Sequence, residues 1–176
     1  MKKLNVAVIG LGKISSIYLE NLTKMFSDQV KLIGVVDLIS SRAKEVADAY
    51  NLKQYADVDE LFSDTEVDLV LNLTTPQSHF DLCKRAIEAG KSVYVEKPLS
   101  LSVGQASELV ALAKKHNVLL GGAPDTFLGA GIQTCRKLID DGWIGRPVAA
   151  TACMMNHGHE SWHPAPEFYY KQGGGP

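Results

Sequence analysis

A doubly wound α/β domain, its parallel sheet covered by helices on both faces, is the fold this sequence predicts. Three observations predict it. Short apolar runs alternate with helix-period segments through about the first 120 of 176 residues. The runs NVAVI, LIGVV and DLVLNL are continuous rather than alternating, so both faces of each strand should be buried, as in a parallel sheet. Right-handed crossovers between such strands place helices on both sides.

The elements follow in order. Asn5–Ile9 reads as the first strand. It sits in MKKLNVAVIGLGKIS, whose two lysines and apolar run resemble a signal peptide. The run is short and broken by glycine, and no A-x-A-like site follows, so a strand of the mature protein is expected. Ile14–Met25 has a helical period, Leu32–Val36 is the second strand, and Arg42–Tyr50 is a helix. Gln54–Tyr55 is a weak strand, and Asp68–Leu73 a strong one. Phe80–Ala89 reads as a helix capped by Ser78, with Gly90 at C′ and Lys84 and Arg85 in its later half. Ser92–Val95 is a strand; Ser102 and Gln105 form a capping box for a helix to Lys115, and Val118–Gly121 is the last strand. Beyond it the texture changes. Ile132–Ile139 reads as a helix, Pro147–Met155 as an isolated strand, and NHGHESWHPAPEFYYKQGGGP has no period.

Composition narrows the function classes. Hydrophobic residues make up 45% and charged residues 22%, the profile of a soluble globular protein. With a net charge of −2 and no basic stripe, a nucleic-acid partner is not expected. The apolar runs fall far short of the roughly 20 residues of a membrane span. Cys83, Cys135 and Cys153 are odd in number and scattered, which fits free thiols in a reducing cytoplasm. The spacing of His157, His159 and His163 matches no zinc pattern, so no metal is expected.

Gly10-Leu11-Gly12-Lys13-Ile14-Ser15 joins the first strand to the first helix as G-x-G-x-x-[small]. Gly10 allows a tight turn, Gly12 lets backbone approach a pyrophosphate, and Ser15 permits close helix packing. The amides around Lys13 and Ile14 lie at the helix N-terminus, which favours an anion. Asp37 ends the second strand, 27 residues after Gly10. A carboxylate there can accept hydrogen bonds from the ribose hydroxyls of NAD and repels the 2′-phosphate of NADP. Arg42 stands close enough to meet that phosphate, so NADP stays open. Taken together these features predict a Rossmann domain.

In such a sheet ligands sit beyond the carboxyl ends of the strands, where NLTTPQSH and VEKPLS end. Thr74, Thr75 and Pro76 are expected to line the ribose and nicotinamide side, with His79 as a structural or cofactor-lining residue. Pro98 restricts the backbone of Lys97. The positive ring of NAD⁺ favours loss of a proton from a nearby ammonium, and a lysine there can take a hydroxyl proton as hydride leaves the carbon.

GLGKIS, VVD, NLTTPQSH and EKPLS, in this order and spacing, resemble the Gfo/Idh/MocA family of oxidoreductases. PDTFLGAG and SWHPAPEFYYKQGGGP extend the resemblance over the whole chain. It implies NAD(P)-dependent oxidation or reduction of a hydroxyl or carbonyl on sugars, inositols and related compounds, in a homo-oligomer, while the scattered thiols point to the cytoplasm. By analogy Lys97 is catalytic, and Glu96 and His79 lie in the cofactor region. Trp162-His163 resembles a Trp-Arg pair near the cofactor, with His in place of Arg. The resemblance also implies a later helix carrying an aspartate and a histidine, then a large antiparallel sheet that shapes the substrate pocket. The expected organisation is a dinucleotide-binding domain at 1–122, then a linker helix and the truncated start of an α+β substrate domain at 123–176. The competing reading is a non-catalytic dinucleotide-binding or sensor module.

Overall fold

A computed structural model describes residues 3–153, 155 and 157–174. Strands β1 (Leu4–Ile9), β2 (Val30–Val36), β3 (Lys53–Gln54), β4 (Leu69–Asn72), β5 (Ser92–Val95) and β6 (Leu120–Gly122) form one sheet. All the pairings are parallel, in the spatial order β3-β2-β1-β4-β5-β6. Winding reverses between β1 and β4, so a crevice opens beyond the carboxyl ends of those two strands.

Helix α1 (Ser15–Glu20) runs on into a π-helical turn, Asn21–Met25. It is followed by α2 (Ser40–Tyr50), α3 (Val58–Ser63), α4 (Pro76–Glu88), α5 (Val103–His116) and α6 (Ala130–Asp140). Alternate β1 residues feed opposite faces of the sheet. Val6 and Val8 pack with Leu19, Ala43 and Ala47 of α1 and α2. Ala7 and Ile9 pack with Leu61, Ala86, Ile87 and Leu109 of α3, α4 and α5. Each fully buried valine or leucine in these layers contributes roughly 1.5–3 kcal/mol. The β1–β2 register slips between Val6 and Ala7, which passes over Ile33 and brings Gly34 against the Tyr55 ring.

The six strands predicted between Asn5 and Gly121 fall within two residues of those observed. Three expectations need correction. Helix α4 begins at Pro76 rather than Phe80, with extended Thr75 as its N-cap in place of Ser78. Proline suits the first helical position because its missing N–H would have no partner there. Helix α3 was not anticipated, since six residues are too few to show a period. Its signature is a cap: Asp57 Oδ1 accepts from Glu60 N at 2.8 Å, and Glu60 Oε2 accepts from Ala56 N at 2.7 Å.

The strand expected at 147–155 is the third correction. Residues 147–153 and 155 are irregular and exposed, and Met154 lies outside the described residues. Among the described residues no neighbouring strand is there to satisfy their N–H and C=O groups, and an unpaired extended segment gains nothing from strand geometry. Helix α6 does form, but it is exposed along its length and rests mainly on the turn Thr126–Leu128.

Candidate active site

The glycine loop is built by contacts from three strands. Gly10 has φ +88° and its N–H donates to Val36 O at 2.9 Å. A Cβ on it would lie 3.0 Å from the Leu73 backbone, so the residue is glycine for both conformation and space. Gly12 is different: a Cβ there would meet nothing within 4 Å. Ser15 is buried and its hydroxyl donates to Gly12 O at 2.8 Å, which closes the loop onto α1. Lys13 and Ile14 are exposed at the mouth. Among the described residues, the amides of Gly12, Lys13 and Ile14 have no protein acceptor. Open space beside free N–H donors at a helix start fits a dinucleotide pyrophosphate.

Asp37 does more than its spacing implies. Its Oδ2 accepts from Leu11 N at 2.7 Å and its Oδ1 from Ile39 N at 2.8 Å. Arg42 Nη1 stands 3.4 Å from Oδ2. The carboxylate ties the glycine loop to the end of β2. A ribose hydroxyl can meet the carboxylate in place of the long Arg42 contacts, 3.4 and 3.5 Å. Arg42, also at this end, balances its charge.

At the ends of β4 and β5 a buried polar network shapes the crevice. Asn72 Oδ1 accepts from Thr74 N at 3.2 Å and from Thr74 Oγ1 at 2.6 Å. Asn72 Nδ2 reaches Cys83 Sγ at 3.4 Å, and burial pushes that thiol up to about 11, which leaves it inert. His79 Nδ1 lies 2.7 Å from Pro98 O and Nε2 lies 2.9 Å from Thr74 O. With no exposed surface and both ring nitrogens engaged, His79 holds the two strand ends together from beneath. It neither lines the crevice nor is placed to act as a base. Thr75 is exposed, while Pro76 is buried in the first turn of α4.

Glu96 N donates to Asn72 O at 2.9 Å, extending the β4–β5 pairing to the motif. Glu96 Oε1 accepts from Tyr18 Oη at 2.7 Å, and Oε2 accepts from Lys97 N at 3.0 Å. Lys97 is exposed at the strand end, with Nζ 6.0 Å from the centre of the Tyr169 ring. Tyr169 stacks on His159 at 3.5 Å, and Trp162 and His163 meet it edge-on. Two further contacts anchor this tail. Gln77 Nε2 donates to Gln172 O at 2.9 Å, and Gly173, at φ +80°, packs against Pro76 and Leu101. Pro164 lines an open hollow of about 520 Å³ together with Gly12, Lys13, Ser15 and Arg42. The tail thus passes the glycine loop at Pro164 and Lys97 at Tyr169, and Trp162 and His163 lie against that tyrosine.

Sequence reasoning missed Tyr18 and Asn72. Asn72 had a signal, being the one amide in the apolar run DLVLNL. Tyr18 had none that pointed to Glu96, 78 residues away.

A family model described as the oxidoreductase family, NAD-binding Rossmann fold, matches residues 4–122, the segment that begins and ends with the sheet. This chain belongs to the Gfo/Idh/MocA oxidoreductase family. It carries that family's NAD-binding domain. Myo-inositol 2-dehydrogenase of Thermotoga maritima is 32% identical over 145 residues, covering 82% of this chain and 43% of that protein. The inositol 2-dehydrogenase/D-chiro-inositol 3-dehydrogenase of Lactiplantibacillus plantarum is 30% identical, covering 88% and 43%. GenD2 from gentamicin A biosynthesis, solved in complex with NAD, superposes with a TM-score of 0.75 at 30% identity, covering 80% of this chain and 40% of that one. The chain spans less than half the length of these relatives. No helix among the described residues is long and apolar enough to cross a membrane.

Proposed function

We propose that this chain is the cofactor-binding part of an NAD-dependent dehydrogenase that acts on a hydroxyl or carbonyl of an inositol, a sugar or a related polyol. The observation that carries this reading is the position of Lys97, exposed at the carboxyl end of β5 in the crevice that also holds the glycine loop and Asp37. NAD, when bound, supplies the hydride acceptor. Gly12 and the amides of the loop take its pyrophosphate, and Asp37 takes its ribose. The Asp37 carboxylate favours NAD, while Arg42 beside it leaves NADP a cation to meet. Thr74 and Thr75 line the nicotinamide side, and Trp162 and His163 approach from the tail. Lys97 accepts the proton of the substrate hydroxyl on oxidation and returns it on reduction. We assign residues 1–122 to the cofactor domain and 123–176 to a linker and the start of a substrate domain. We place the protein in the cytoplasm, as a homo-oligomer.

The 176-residue chain should bind NAD saturably in a calorimeter. A screen of inositols, sugars and polyols with the same chain should leave NADH absorbance flat. Orientation of a substrate can lower a barrier by roughly 7–11 kcal/mol, and the relatives extend well past the matched segment. Absence of NAD binding would overturn the cofactor assignment; robust NADH formation would overturn the division into cofactor and substrate parts.

A further inference from the structure

We propose that Tyr18 is a positioning residue for Lys97 and acts on it through Glu96. The proposal deepens the reading of Lys97 as proton acceptor and rests on it. Tyr18 lies one helical turn after Ser15, on the inward side of the helix that leaves the glycine loop. Its ring packs against the core layer that includes Leu11, Leu71 and Leu73, and tilts against Tyr94 with centroids 6.4 Å apart. Its hydroxyl donates to Glu96 Oε1 at 2.7 Å. Burial, and then the Glu96 carboxylate, push the phenol far above its usual range, so it serves as a standing donor.

The other Glu96 oxygen accepts from the backbone N–H of Lys97 at 3.0 Å. One carboxylate is therefore bracketed between the glycine-loop helix and the peptide that carries the ammonium. Two consequences follow. The Lys97 backbone is tied to the helix that receives the pyrophosphate, so both ends of the cofactor site share one brace. The Glu96 charge is also committed to the phenol and the peptide. Released, it would be free to turn toward the Lys97 ammonium and hold the proton that Lys97 must give up and take back.

The test needs neither cofactor nor turnover, so its failure is distinct from failure of NAD binding. The 176-residue chain is prepared as wild type, Tyr18→Phe, Glu96→Leu and the double variant. Circular dichroism checks the fold of each. Amide exchange is followed at Lys97. In a parallel sample the lysines are reductively ¹³C-methylated, with Lys97→Arg assigning the Lys97 signal. Tyr18→Phe and Glu96→Leu should each raise Lys97 amide exchange about tenfold, and the double variant no further, because both cut the same brace. The Lys97 methyl resonance should move in Tyr18→Phe and return close to its wild-type position in the double variant, where no carboxylate remains to turn. Unchanged Lys97 exchange in Tyr18→Phe overturns the proposal. So does a methyl shift of equal size with and without the Glu96 carboxylate.

Discussion

Gly10 and Gly12 look alike in the fingerprint and differ in what a methyl group would meet. At Gly10 it would press on the Leu73 backbone at 3.0 Å, in a conformation with φ +88°. Gly10→Ala should therefore destabilise the fold, by about 1–3 kcal/mol for the conformation alone. At Gly12 the space is open, and Gly12→Ala should shift urea unfolding by less than about 0.5 kcal/mol. The same change should weaken NAD binding at least tenfold, or about 1.4 kcal/mol. Equal effects of the two variants on unfolding would refute the separation of a folding glycine from a binding one. Asp37 was legible as the acid that ends β2, but its grip on Leu11 N and Ile39 N was not. Hydrogen bonds to a charged group are worth about 1.5–3 kcal/mol each. Asp37→Ala should cost the NAD-free protein at least about 2 kcal/mol in urea melts, as well as its NAD preference. A loss under about 0.5 kcal/mol would show that the clamp contributes nothing to the fold.

At the scale of elements, the short β3–α3 unit is held by carboxylates. The N–H of Ala56, and then Lys53, hold Glu60 below its ordinary 4.5. The N–H of Glu66, and then Lys53, hold Asp64 below its ordinary 3.8. Asp64 Oδ2 also accepts from Tyr55 Oη at 3.0 Å. Carboxyls depressed in the folded state stabilise it fully above their ordinary values and cease to do so as pH falls through the folded values. Acidification below pH 4.5 should therefore loosen α3 before the sheet. Amide exchange should show α3 protection falling while β1 and β4 hold. A parallel decline in all three would mean that acid acts on the whole molecule through other groups. The strand expected at 147–155 belongs to this scale too. Apolar, β-branched residues favour a pleated surface only when one is present to receive them.

For the whole molecule, the residues of both core layers lie between Val6 and Leu120, and no buried hydrophobic residue is contributed by α6. A chain cut after Gly122 should keep the urea m-value of the sheet domain and stay within about 1 kcal/mol of the parent stability. A larger loss would mean that the tail contacts at Pro76, Gln77 and Leu101 contribute to folding. Phe127, Leu128, Ile132, Trp143 and Ile144 are all more than half exposed. The parent should accordingly be less soluble than the shortened chain and more prone to self-association, which light scattering will report.

By itself the sequence determined the parallel sheet, the glycine loop, the acid after β2 and the lysine at the end of β5. These are local properties: continuous apolar runs declare two-sided burial, and glycine, proline and a spaced carboxylate declare turn and ligand chemistry within one βα unit. Only the tertiary structure decided which distant groups meet. Sheet order sets β1 beside β4 and β4 beside β5, and that brings Tyr18 to Glu96, and His79 between Thr74 O and Pro98 O. It also left residues 147–153 without a strand to join. Hydrogen-bond partners far apart in the chain are chosen by topology, because a short-range bond forms only where the fold has already brought its two ends together.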